Sequence, residues 1–311
     1  FAPSLSFHIH HGSVRSRNVE ELQKHNILIT TYGTLRSDIQ VLLKINFDYV
    51  VLDESQAIKN PASKVTRAAC LLNAKNRICM SGTPLQNKTF DIFAQMNFLN
   101  PGLLGNMEFF RNEFANPIDK FGEPEQKDHL RKLLYPFILR RTKEQVANDL
   151  PETMETILFC EMESEQRKVY DTYRNAYRDK IIGVIDEQGI QKSQLTILQG
   201  LMKLRQICDS PAIVNDEEKY PNVSVKLEEL GREISENIGD HKALVFSQFL
   251  GMLALIKERM NELGISYAYF DGSTSPADRE KAITLFQTDE NCRVFLISLK
   301  AGGVGLNLTA A

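Results

Sequence analysis

Residues 47–64 read FDYVVLDESQAIKNPASK, and the way this apolar run ends decides the fold. Tyr49, Val50, Val51 and Leu52 have the composition of a buried strand. Asp53 and Glu54 follow at its C-terminal end, the place where open α/β sheets bind ligands. The pair supports two readings. One is a strand that stops in a solvated acidic turn. The other is a Walker B site, with Asp53 holding a nucleotide-bound magnesium and Glu54 polarising the attacking water. Asn60 and Pro61 then read as the N-cap and first residue of a helix through KVTRAACLL.

Upstream, SFHIHHG (6–12) and NILITTYG (26–33) read as strands, and TLRSDIQVLLKI (34–45) has helical spacing. Downstream, NRICMSGTP (76–84) is strand and then loop. Strands alternating with helices of this size predict a parallel sheet covered on both faces. From about residue 90 to 220 the pattern turns helical. TFDIFAQMNFL carries Phe90, Phe93, Met96 and Phe98 or Leu99 at helical spacing. Two later stripes, Val169, Tyr170, Tyr173, Tyr177 and Ile181, then Leu195, Leu198, Leu201, Met202 and Ile207, read as core packing. The α/β alternation returns near residue 225, with KALVFSQF, SYAYFDG and CRVFLISL as strands and Ser275, Pro276 and Asp278 opening a helix.

The bulk numbers fit this reading. A chain of 311 residues, 42% apolar and 25% charged, is an ordinary globular composition for two domains. No membrane span or signal-peptide layout is visible. Five scattered cysteines, none in a CxxC, suit neither a disulfide framework nor a zinc site and point to a reducing cytosol. The net charge of -3 means that any nucleic-acid contact must come from local patches. His8, His10 and His11 lack a carboxylate or Cys to complete a metal set, so they read as an edge-strand feature.

Seven ordered segments, DESQAIKN, SGTPLQN, FILRRTKEQVANDLP, LMKLRQICDSP, ALVFSQF, YFDGSTSPADREKAI and LISLKAGGVGLNLTAA, resemble the Swi/Snf family of ATP-dependent DNA translocases within helicase superfamily two. The resemblance covers nearly the whole chain. It implies an α/β fold of two RecA-like lobes, both incomplete here, with helical protrusions and double-stranded DNA across the cleft. The boundaries it suggests are 1–160 for the first lobe with a protrusion at about 90–137, 161–224 for a helical second protrusion or linker, and 225–311 for the second lobe.

Carried over residue by residue, the resemblance makes Asp53 the magnesium-associated acid, through water, and Glu54 the general base of ATP hydrolysis. Gln56 stands where many relatives have His, at a position that couples the nucleotide to the other lobe. Ser81, Gly82 and Thr83 belong to a coupling motif, as do Arg140 and Arg141, whose alternative reading is a solvated helix face. Thr30, Thr31 and Tyr32 lie where the family contacts the DNA backbone in the first lobe. In the second lobe Gln248 follows the first strand, Gly272 and Ser273 sit at a strand end, and Lys300, Gly302 and Gly303 offer a phosphate contact and unobstructed backbone amides. The spacing of Gly302, Gly303 and Gly305 does not make a dinucleotide fingerprint.

Two pieces of the family pattern are absent from these 311 residues. No G-x-x-x-x-G-K-[ST] occurs, and no arginine-bearing motif follows NLTAA. An arginine finger is worth roughly three to five decades in phosphoryl-transfer rate. The chain therefore reads as a catalytically silent piece of a DNA-dependent ATPase that uses ATP and Mg2+. Alternatives from other classes are a non-catalytic docking scaffold and a strand-separating helicase. The expected partners are double-stranded DNA and a DNA-bound protein target, with no membrane. The compact spacing between FILRR and LRQICDSP suggests a prokaryotic protein, and the expected location is cytoplasmic and nucleoid-associated.

Overall fold

The computed structural model describes residues 2–82, 89–146, 153–188, 190–214, 219–302 and 306–311. The chain divides into two compact units, Phe1–Pro151 and Glu152–Ala311. Each contains only parallel strand pairs among its described residues, the α/β class with RecA-like lobes.

In the first lobe β1 (Phe7–His10) pairs with β2 (Ile27–Thr30), and β3 (Phe47–Leu52) pairs with β4 (Ala74–Cys79). Helices α1 (Val19–Leu22), α2 (Tyr32–Ser37), α3 (Ile39–Leu42) and α4 (Lys64–Leu71) connect them. The core of this layer gathers Leu22, Leu35, Leu42, Val50, Leu52 and Ile58. In β3 only Val50 and Leu52 are buried, while Tyr49 and Val51 are 61% and 49% exposed. The strand is therefore buried on one face and not on both. The helix after it also starts later than its sequence suggests. Asn60 Oδ1 accepts from Ala62 N in an Asx turn, and Ser63 supplies the N-cap for α4 through its hydroxyl.

A second core in the first lobe lies among α5 (Thr89–Leu99), α6 (Met107–Phe110) and α7 (Pro124–Leu134), with Ile92, Phe93, Met96, Phe110 and Phe114 at its centre. Phe98 on α5 belongs instead to the sheet-side core. Because α5 serves both cores, it is buried nearly all round, not along one stripe. A short helix α8 (Lys143–Val146) ends the described part of this lobe.

In the second lobe α9 (Ser164–Gln188) and α10 (Ile190–Asp209) form a hairpin, followed by α11 (Val225–Arg232). A three-stranded sheet runs in the order β5 (Ala243–Ser247), β7 (Val294–Ser298), β6 (Tyr267–Phe270). Its connecting helices are α12 (Leu250–Glu262) and α13 (Pro276–Thr288), and α14 (Leu299–Gly302) follows β7. Ser275 caps α13, as its sequence predicts.

The α10 stripe is a correction. Leu195, Leu198, Leu201 and Met202 are 49–67% exposed, and only Ile207 of that set is buried. The packed face is lined by Ser193, Gly200 and Ile207. A Cβ at Gly200 would come within 2.9 Å of the Tyr177 ring. Small residues let α9 and α10 approach closely, so the small face packs and the leucine face does not. The α9 positions Val169, Tyr170, Tyr173, Tyr177 and Ile181 are half-buried. Among the described residues no helix is long and apolar enough to cross a membrane.

Candidate nucleotide and coupling site

The carboxylates of Asp53 and Glu54 lie exposed where β3 stops. Asp53 Oδ1 accepts from the Glu54 backbone N–H at 2.9 Å. Glu54 itself has φ 47° and ψ 49°, the one non-glycine residue with positive φ among those described. Left-handed backbone at a non-glycine residue costs on the order of 1–3 kcal/mol and persists only where its surroundings over-determine it. They do so here. Met80 N–H donates to Leu52 O at 2.8 Å and Ser55 N–H donates to Met80 O at 2.9 Å, so the end of β4 brackets the turn.

A relay of side chains leads away from Glu54. Gln56 Nε2 donates to Glu54 Oε2 at 2.6 Å, and Ser81 Oγ donates to Gln56 Oε1 at 2.7 Å. Two sequence-predicted groups 25 residues apart are thereby joined, because β3 and β4 are paired in register, Leu52 beside Cys79. Gly82 follows in the same loop, and Thr83 lies outside the described residues. Arg140 and Arg141 are exposed and line a cavity of about 580 Å³ together with Ser81 and Gly82.

Tyr32 OH donates to the Asp53 carbonyl at 2.6 Å, tying the TTYG turn to the end of β3. Burial pushes its phenol up to about 12, with help from the Cys79, Asp53 and Glu54 charges. Thr31 caps α2 by accepting from Thr34 N–H, and Thr30 donates to His10 O. Burial also pushes the Cys79 thiol up to about 11, which leaves it a poor nucleophile.

Magnesium takes oxygen ligands and leaves much of its shell to water and phosphate, so one or two carboxylates suffice. Asp53 and Glu54 supply such oxygens at an open strand end. No cluster of three or more His, Cys, Asp or Glu forms a closed cage among the described residues. The donor set fits a magnesium carried in with a nucleotide.

The second lobe brings its residues together differently. Asp271 Oδ1 accepts from the Ser273 backbone and hydroxyl, and its Oδ2 accepts from Tyr269 OH. These bonds, the Ser273 hydroxyl first, hold its carboxyl well below the usual range. Gly272 and Ser273 are exposed on this tight turn. Asp271 and Arg205 are what the sequence reading missed. Arg205 Nη2 donates to Gln248 Oε1 at 2.6 Å, linking α10 to the loop after β5. Nothing in sequence spacing signals a pair 43 residues apart. Lys300 is exposed on α14. A Cβ on Gly302 would stand 3.0 Å from both Ile297 and Phe246, so its glycine has a packing reason. Gly303 lies outside the described residues.

The edge-strand reading of the histidines fails at His10, which has a buried carboxylate partner. His10 is fully buried with Nε2 3.0 Å from Asp38 Oδ2, and Arg15 donates to both Asp38 oxygens at 2.5 and 2.9 Å. His8 stacks on His25.

Residues 1–213 match the model of the SNF2-related domain, and residues 225–311 match that of the helicase conserved C-terminal domain. An uncharacterized ATP-dependent helicase of Mycoplasma pneumoniae is 36% identical over the full chain, which covers 29% of that protein. The TATA-binding protein-associated factor MOT1 of Saccharomyces cerevisiae is 29% identical over the full chain, which covers 20% of it. The chain thus spans under a third of these relatives. The SWI2/SNF2 ATPase core of Sulfolobus solfataricus, solved in complex with dsDNA, is 35% identical with a TM-score of 0.47, over 100% of this chain and 65% of that one.

Proposed function

The chain belongs to the SNF2-related family, and from that premise we propose that it forms part of the motor of an ATP-dependent double-stranded DNA translocase. The observation that carries the reading is the hydrogen-bonded relay Ser81–Gln56–Glu54 at the end of β3. The relay joins the carboxylate at the end of β3 to the loop after β4, a route by which the state of the site would reach the coupling residues.

Bound magnesium nucleotide would supply the electrophilic phosphate and neutralise its charge. Asp53 would hold that metal through water. Glu54 would take a proton from the attacking water, with its carboxylate oriented by Gln56. Ser81, Gly82 and Thr83, with Arg140 and Arg141, would pass the state of this corner onward. Thr30, Thr31 and Tyr32 in one lobe, and Gly272, Ser273, Lys300, Gly302 and Gly303 in the other, would grip DNA phosphates. Such contacts position a protein without reading sequence. The MOT1 relative is named for association with a DNA-binding protein, which supports a DNA-bound protein as target.

The test is ATP turnover by the full-length protein with and without duplex DNA, joined to triplex-displacement and strand-separation assays. Stimulation by duplex with triplex displacement is expected. Strand separation would favour a helicase, and absence of turnover would favour a docking scaffold. The 311 residues by themselves, which contain no G-x-x-x-x-G-K-[ST], are expected to show no turnover with saturating duplex.

A further inference from the structure

Gln95 stands on α5 among core residues, with Ile92, Phe93, Ala94 and Met96 all buried around it, and is itself only 4% exposed. A primary amide in such a place costs free energy unless it is hydrogen-bonded. Its Oε1 accepts from Ser55 Oγ at 3.4 Å, and Ser55 is fully buried. Ser55 directly follows Glu54, the residue in left-handed conformation. Ser55 is held by its backbone N–H to Met80 O and by its hydroxyl, which reaches Gln95 Oε1 and also meets the Cys79 thiol.

We propose that Ser55 and Gln95 form a buried polar latch that holds the Glu54 turn and ties it to α5, making Gln95 a positioning residue for ATP hydrolysis. Three observations point the same way. The strained residue needs its neighbour fixed, and a hydroxyl-to-amide bond is directional where apolar packing is not. Gln95 and Ser55 also line the cavity that holds Ser81, Arg140 and Arg141. One side chain therefore touches the water-activating turn and shares a cavity with the coupling residues. Lastly, Ser55 N–H donates to Met80 O just beyond β4 while its hydroxyl reaches α5, so the latch joins the Glu54 turn to two neighbouring elements.

The inference rests on the reading of Glu54 as the base, so the experiment includes Glu54→Gln as its reference. Ser55→Ala, Gln95→Met and the double variant would be made in the full-length protein and assayed for ATP turnover with saturating duplex DNA. Each single change is expected to lower kcat by roughly three- to tenfold at unchanged KM for ATP. The double variant should fall no further than the lower single, because coupled residues are non-additive. A merely structural role would lower thermal stability and leave kcat per folded molecule intact. That result, or effects that multiply in the double variant, overturns the latch. Should Gln95→Met fold poorly, Ser55→Ala decides alone, since it adds no volume; unchanged kcat there overturns the proposal. If Glu54→Gln retains full turnover, the reading of the site falls and the latch falls with it. If Glu54→Gln is inactive while Ser55→Ala and Gln95→Met are normal, only the latch falls.

Discussion

Strand β7 in the second lobe and β2 in the first are both short, apolar and parallel, yet only β7 is buried at every position. Val294, Phe295, Leu296 and Ile297 are all 0% exposed, whereas Ile27 and Ile29 are 42% and 50% exposed. The difference lies in the neighbours. β7 is paired on both edges, with Val294 and Leu296 packed toward α12 and Phe295 and Ile297 toward Phe270 and Phe286. Among the described residues β2 pairs only with β1. An apolar cleft of about 350 Å³ separates it from β3, lined by Ile29, Tyr32, Val51 and Asp53 among others. Parallel strands need cover on both faces, and composition does not say whether a strand has it.

The turns at the strand ends contrast in the same way. Asp271 sits in a relaxed turn satisfied by hydroxyls, while Glu54 is held in a left-handed conformation beside an open corner. If the chemistry belongs to the strained turn, Glu54→Gln in the full-length protein should lower turnover by about two to four decades with ATP binding near normal. Asp271→Asn should cost far less turnover. Equal losses, measured as DNA-stimulated kcat, would break the contrast.

Packing should separate the lobes by the next largest margin. Phe295→Ala in β7 is expected to destabilise its lobe by about 3–5 kcal/mol. Ile29→Ala in β2 should stay within about 1 kcal/mol. Urea unfolding of the two variants reads this directly, and a large loss at Ile29 would show that the cleft face is covered in solution.

Acid should act on the first lobe through Asp38. Its Arg15 hydrogen bond, against the opposing cost of burial, lowers its carboxyl to about 2. The folded value lies below the unfolded one of about 3.9. The stabilisation is therefore present above about pH 4 and is lost as pH falls toward 2. The urea midpoint of the wild type should drop through that window more steeply than that of Asp38→Asn. Parallel curves would remove Asp38 as the cause.

The smallest effect concerns the phosphate grip proposed for the second lobe. Lys300→Ala should reduce the slope of log affinity against log salt by about one unit or less, with no change in sequence preference. An unchanged slope would leave Lys300 as a solvated surface charge.

The linear order of residues was enough to place β3, its two terminal carboxylates, the alternation into α/β blocks and the seven motifs, because each is a local pattern of period and composition. Tertiary structure decided what those patterns touch. It turned the leucine face of α10 outward, since Gly200 against Tyr177 let the opposite face pack more closely. It moved the start of α4 to Ser63, where a hydroxyl reaches the free N–H of Thr66. It joined Ser81 to Gln56, Tyr32 to Asp53 and Gln95 to Ser55, pairs that lie 21 to 40 residues apart. Periodicity reports which side chains share a face of one element. Only the packing of elements selects which distant hydroxyl, amide or carboxylate stands within hydrogen-bond reach.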